Sequence, residues 1–184
     1  MQMNLRNGMG FKAKAASPAI ESLNSDGLRV SERISEIMMM CDRAHPIYEQ
    51  ISSFSIALYA MGFFEAPDLM SVQDIDSQEA AAILREHFTE VRAEDIPDGY
   101  AVSKSKEKYL LVAGDPAFPV HFAMVTDIRS DRPYFSKLPF FGSGHDSLNE
   151  LMADFSGRED IHYFRLDRYG EIPPSARGKI YIFK

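Results

Sequence analysis

The stretch from Phe118 to Phe155 constrains the fold of this 184-residue chain more than any other. It contains an apolar segment at 120–125, a polar turn at 131–133, a second apolar segment through Ser136, and a helix signal after His145. A segment that is apolar on both faces is typical of a strand in the middle of a sheet. Because parallel neighbours need a long crossover, connections this short predict antiparallel pairing.

Apolar residues upstream of this stretch recur at helical spacing and predict three helices. The first starts at Val30 and carries Cys41 on its apolar side. The second follows Pro46 and ends at a glycine cap, Gly62, so the first two should form a hairpin. The third begins at an N-cap, Asp76 or Ser77. Residues 1–27 lack this spacing and are expected to be a flexible segment ahead of a single domain at 28–184.

From Tyr100 onward the period of the apolar residues changes from helical to strand-like. A helix is predicted at 147–155, and strands are predicted at 100–103, 109–112, 120–127, 134–138, 162–168 and 179–183. Helices followed by strands indicate the α+β class. We therefore predict N-terminal helices packed on a mostly antiparallel sheet of about five or six strands.

The composition narrows the classes of function. A net charge of −7 argues against nucleic acid as a partner, because such binding depends on clustered Lys and Arg. The single cysteine excludes an intrachain disulfide framework and a Cys-based zinc cluster. No apolar run is long enough to span a bilayer, and the N-terminus lacks the apolar region of a secretory signal. We expect a cytoplasmic protein without a metal, an organic cofactor or a membrane partner.

His121 is the first candidate for chemistry. It lies inside the segment that is apolar on both faces, so its imidazole should be largely buried or at the wall of a cleft. A desolvated imidazole can transfer protons near neutral pH, which would suit a general base. The alternative is a structural histidine that bonds a neighbouring carbonyl.

Cys41, His145 and His87 are weaker candidates. Cys41 is the one possible thiolate nucleophile, but its place late in a helix, on the apolar side, equally suits a small buried hydrophobe. His145 precedes a helix that Asp146 or Ser147 can cap, and it could lie at the edge of a cleft. His87 is expected to be a packed or surface residue of the third helix rather than a ligand.

The order of elements and four short motifs resemble the NlpC-like branch of the papain-fold hydrolases. The motifs are the turn Ala93-Glu-Asp-Ile-Pro-Asp-Gly-Tyr-Ala101, the strand start His121-Phe-Ala-Met-Val125, the strand Ser136-Lys-Leu-Pro139 and the helix start His145-Asp-Ser-Leu148. The resemblance covers about residues 50 to 155. It implies a papain-like outline, with the cleft between the second helix and the strand of His121.

The resemblance also implies roles for particular residues. His121 would be the catalytic base, and Ser136 would be the polar residue that orients it. The family's nucleophile is a cysteine at the start of a helix, but the corresponding segment, Ile51-Ser-Ser-Phe-Ser-Ile56, contains none. Ser53 or Ser55 stands nearest that position, and a serine hydroxyl needs far stronger activation than a thiol.

Three interpretations remain open. In the first, the chain is a catalytically degenerate papain-like domain used for binding a peptide or protein, and Ser53, Ser55 and His145 are binding candidates. In the second, it is an active peptidase- or amidase-type hydrolase that cleaves amide or ester bonds with Cys41 and His121. In the third, it is an acidic α+β interaction protein, toxin-neutralising or chaperone-like, without a catalytic role.

Overall fold

The computed structural model describes residues 18–44, 51–155 and 160–167, and these residues form helices packed on one sheet. The helices are α1 (Pro18–Cys41), α2 (Ser53–Ala60), α3 (Ser77–His87) and α4 (Leu148–Asp154). The strands are β1 (Phe88–Val91), β2 (Tyr109–Ala113), β3 (His121–Val125), β4 (Tyr134–Leu138), β5 (Gly142–Asp146) and β6 (Ile161–Leu166). The sheet order is β1-β6-β2-β3-β4-β5, and all neighbouring strands are antiparallel. The predicted α+β class and strand number are confirmed.

The central strands are buried on both faces, as their apolar sequences predict. Every residue of β2, β3 and β4 is buried. The ring of Phe122 on β3 meets Phe54 of α2 edge to face at 4.9 Å, so this side of β3 faces α2. Because side chains alternate along a strand, His121 points to the opposite face. There its ring lies 5.0 Å from Phe155, the residue that follows α4.

Several predicted boundaries differ from the structure. The strand predicted at 100–103 is wrong: these residues form a turn and one isolated bridge, Ala101 to Asp127, because the Tyr100 amide is already bonded to the carbonyl of Pro97. The structure adds β1, which follows α3 directly, and β5, which replaces the flexible approach predicted for 142–144. The helix α1 starts at Pro18, so it overlaps the segment predicted to be flexible. Residues 1–17, the hairpin turn at 45–50 and the predicted strand at 179–183 lie outside the described residues.

Gly62 ends α2 as the sequence predicts. It adopts a φ of +82°, its amide bonds the carbonyl of Tyr59, and the Phe63 amide bonds the carbonyl of Leu58. These two bonds form the Schellman motif, which places a left-handed residue just after the helix. A Cβ on Gly62 would also stand 2.7 Å from Nη1 of Arg33.

We expect Gly62→Ala to lower the free energy of unfolding by about 1–2 kcal/mol, the usual cost of a left-handed conformation for a residue with a Cβ. Urea unfolding monitored by circular dichroism measures this loss. Gly99→Ala is the matched control, because Gly99 lies at an exposed turn without a positive φ and its Cβ would meet only the tip of Arg129. An equal loss in both variants would contradict the assignment.

Candidate functional site

His121 is sealed inside the protein. It is the first residue of β3, pairs with Ala113 of β2, and is 1% exposed. Neither Nδ1 nor Nε2 has a hydrogen-bond partner in the part of the chain that the structure describes. Burial lowers the pKa of His121 to about 3, and the nearby charge of Lys137 acts in the same direction. The imidazole is therefore neutral at pH 7. The predicted burial is confirmed, but the carbonyl partner expected of a structural histidine is missing from the described residues.

The first turn of α2 lies beside the first residues of β3. Ser52 caps the helix, because its hydroxyl accepts the amide of Ser55 at 3.1 Å. Ser53, the first residue of the helix, accepts the amide of Phe122 with its Oγ at 3.3 Å. The hydroxyl of Ser53 therefore bonds the backbone next to His121 and not the imidazole.

Ser55, also in the first turn of α2, belongs to a hydrogen-bond network with the segment that precedes α3. Its fully buried Oγ lies 2.5 Å from Oδ1 of Asp74, to which it donates, and it accepts the amide of Ile75 at 3.0 Å. The same carboxylate oxygen of Asp74 accepts the amide and the hydroxyl of Ser52. This network ties the start of α2 to the segment before α3, so the proton and one lone pair of the Ser55 hydroxyl are in use.

Cys41 faces the edge of the sheet. Its fully buried Sγ donates to the carbonyl of Ile37 at 3.3 Å and lies 3.2 Å from Oγ of Ser143 on β5. Burial raises the pKa of the Cys41 thiol; Asp42 adds to this, while the bond to Ser143 and the charge of Lys137 oppose it. Ser143 lies on β5, and β4 separates β5 from β3, the strand of His121. The thiol of Cys41 is therefore bonded to a strand two positions away from the one that carries His121. This arrangement suits the small buried hydrophobe predicted as its alternative role.

Ser136 shares a face of the sheet with His121. It lies on β4, two residues after Tyr134, which pairs with Val125 of β3; by alternation Ser136, Val125 and His121 point to the same side. Ser136 is fully buried, and its Oγ also has no hydrogen-bond partner among the described residues. The resemblance implied that Ser136 orients His121, but the two side chains share a face of the sheet without a hydrogen bond between them.

His145 is part of β5 and not of a loop. It is half-buried, and its ring lies 5.0 Å from that of Phe135 on β4. Burial lowers the pKa of His145; Arg43 acts in the same direction and Asp146 against it. Asp146 is buried. Nη2 of Arg43 donates to both of its carboxylate oxygens, at 2.6 Å to Oδ1 and 2.5 Å to Oδ2. The cap of α4 is Ser147, which with Glu150 forms the predicted capping box.

Lys137 and His87 are two further buried polar residues. Lys137 is 3% exposed on β4 and pairs with Ser143, so its charge acts on both Cys41 and His121. The one signal in the sequence was the pair Ser136-Lys137 inside an otherwise apolar strand. His87, predicted to be packed, is buried 5.4 Å from the ring of Phe63, and burial lowers its pKa.

Neither a metal site nor a similar protein of known function helps to assign a role to these residues. Among the residues that the structure describes, there is no group of three His, Cys, Asp or Glu side chains that could hold a metal. Within the same residues, no helix is long and apolar enough to cross a membrane. Comparisons with protein-family models, curated proteins and solved structures gave no match.

Proposed function

We propose that this chain is a papain-like domain of the NlpC-like type that has lost catalysis and acts by binding a peptide or protein. One observation carries the proposal. The start of α2 lies against the start of β3, where a papain-like site would have its nucleophile and base, yet Ser53 bonds a backbone amide and His121 is sealed. The layout agrees with the resemblance while the working contacts of a hydrolase are missing among the described residues.

The chemistry of these groups supports the loss of catalysis. A general base must come within hydrogen-bond reach of the nucleophile's proton, and His121 bonds no described group. An imidazole with a pKa of about 3 is also too weak a base to activate a serine hydroxyl at pH 7. Cys41, the alternative nucleophile, is a buried thiol whose raised pKa disfavours the thiolate.

An apolar surface at the same end of the sheet supports the binding role. The turns β2–β3 and β4–β5 both lie at the end where β3 begins, because β2 and β4 run in the same direction. They expose Phe118, Val120, Phe140 and Phe141, which we call the apolar end; Phe140 is 85% and Phe118 is 69% exposed. Exposed aromatic side chains at one end of a domain are typical of a surface that contacts another protein.

Hydrolysis and thiol labelling test the loss of catalysis. We expect the protein and its His121→Ala variant to cleave a panel of amide and ester substrates equally slowly, at the rate of buffer alone. Iodoacetamide should modify Cys41 at pH 7 at least 100-fold more slowly than the added thiol of a Ser103→Cys variant, which lies on an exposed turn. In urea both thiols should react. Hydrolysis that depends on His121 would refute the proposal.

A peptide selection tests the binding role. Peptides selected from a random library on the intact protein should be rich in apolar residues and should bind Phe140→Ser/Phe141→Ser at least tenfold more weakly. Leu28→Ser is the matched control, since Leu28 is an exposed apolar residue of α1 away from the apolar end. Selected peptides that bind the double variant as tightly as the parent, or a library without any binder, would contradict this part of the proposal.

A further inference from the structure

A cavity of about 1010 Å³ opens at the opposite end of the sheet from the apolar end. Its walls are α1, the residues that follow α2, the segment before β2 and the end of β6. This volume is at the upper end of the range for small-molecule sites, about 300–1,000 Å³. The cavity lies away from His121, Cys41 and Ser53, none of which lines it.

The charges around this cavity contrast with the net charge of −7 of the whole chain. Five cationic side chains line it: Arg29, Arg33, Lys106, Lys108 and Arg165. Two of them are paired with acids that also line the cavity. Lys108 lies 3.0 Å from Asp26, and Arg165 lies 3.6 Å from Glu107. Within each pair, the carboxylate neutralises the charge of the cation.

The other three cations have no carboxylate partner in the described part of the chain. Arg29, Arg33 and Lys106 form no ion pair there. Of the two remaining acids of the cavity, Asp167 accepts the hydroxyl of Thr89, and Glu65 is exposed. The lining thus holds five cations and four carboxylates, a formal charge of +1 in a protein whose net charge is −7.

Arg33 lines the cavity and is held there by contacts with Tyr59 of α2. Its Nη1 donates to the carbonyl of Tyr59 at 3.2 Å, and its guanidinium lies 5.0 Å from the centre of the Tyr59 ring. Because Gly62 has no side chain, Nη1 of Arg33 and Nζ of Lys108 lie 2.7 Å and 3.6 Å from the point that its Cβ would occupy. Lys108 is already paired with Asp26, so of these two cations only the guanidinium of Arg33 lacks a carboxylate partner among the described residues.

The remaining wall of the cavity is apolar. Val30 and Phe64 are buried, and Leu166 is half-buried beside them. A guanidinium presents a planar fork of N–H donors that matches a phosphate or carboxylate group. We propose that this cavity binds a small organic anion, with its phosphate or carboxylate group on Arg33, Arg29 and Lys106 and its apolar part against Val30 and Phe64. This proposal does not depend on the loss of catalysis.

Calorimetric titration of the full-length protein at low salt tests the site. The probes are pyrophosphate, citrate and adenosine 5′-monophosphate, which separate phosphate from carboxylate recognition and show whether an apolar body adds affinity. We expect saturable binding of at least one probe, weakened by added salt because the contacts are ionic. The variant Arg29→Gln/Lys106→Gln should bind that probe at least tenfold more weakly.

The matched control is Arg85→Gln/Lys104→Gln, which removes the same charge from exposed positions outside the cavity. It should bind like the parent protein. All four side chains are exposed, so both double variants should fold, and thermal unfolding checks that they do. Two results would overturn the proposal: no saturable binding of any of the three probes, or an equal loss of affinity in both double variants. Either result would leave the hydrolysis and peptide experiments unaffected.

Discussion

Replacing His121 with leucine should make the protein more stable at pH 7 and should flatten its loss of stability in acid. The imidazole is 1% exposed and makes no hydrogen bond to a described group, so its desolvation is not offset. A buried polar group without a partner costs about 1–3 kcal/mol, and an apolar side chain of similar size avoids this cost. We expect the gain at pH 7 to be of that order.

The effect of pH follows from the direction of the pKa shift. Burial lowers the pKa of His121 from its ordinary value of 6.5 to about 3. Between these values the unfolded chain binds the proton and the folded chain does not, so acid favours unfolding. The stability is therefore complete above pH 6.5 and falls as the pH decreases toward 3, with a limiting slope of about 1.4 kcal/mol per pH unit for this one group.

Urea unfolding at pH 7 and at pH 4.5 measures both effects. The difference between the two pH values should be smaller in His121→Leu than in the parent protein. Part of it should remain, because burial also lowers the pKa of His87. His162→Gln is the control, since His162 is half-buried beside Glu90 and has a partner. A His121→Leu variant that is less stable at pH 7 and keeps the full pH dependence would contradict the assignment of His121 as a buried, neutral imidazole without a hydrogen bond.

Replacing Arg43 with alanine should destabilise the protein by about 3–5 kcal/mol, the usual result of leaving a buried charge without its partner. The side chain of Asp146 is 2% exposed, and Nη2 of Arg43 contacts both of its oxygens. Without the guanidinium, the carboxylate of Asp146 would lose its ion-pair partner in a desolvated position. Chemical unfolding at pH 7 measures the loss.

A double-mutant cycle isolates this pair. Adding Asp146→Asn to Arg43→Ala should recover part of the loss, because the amide carries no charge. Arg132→Ala is the matched control: Arg132 pairs with Glu150 at 2.5 Å but is 58% exposed, so its removal should cost less than about 1 kcal/mol. Equal losses for Arg43→Ala and Arg132→Ala would show that the burial of Asp146 does not determine the result.

The parts of the fold that the sequence predicts are those whose signal is local. β2 and β3 are mostly apolar, β4 is apolar apart from Ser136 and Lys137, and Gly62 and the Ser147 box are local capping signals. β5 has the sequence Gly-Ser-Gly-His-Asp and carries no strand period. It is a strand because β4 supplies one ladder of bonds and α1 packs against it, which are contacts between distant residues.

The candidate site shows the same division. The burial of His121 follows from its apolar neighbours, but Phe155, which covers it, belongs to another element. The partner of Cys41 is Ser143, more than a hundred residues further along the chain. Spacing along the chain cannot show such a pairing, so the sequence left open whether Cys41 approaches His121.

The contact between the end of α1 and β5 has a consequence for self-association. β5 is the edge of the sheet, and edge strands with open hydrogen-bonding groups can pair with the edges of other molecules. Asp42 forms a parallel bridge with Ser143 along this edge, and its carbonyl lies so close to Gly142 that a side chain there could not fit. The residue after α1 thus occupies part of the edge, and a chain in which α1 has come away would offer an open template for aggregation.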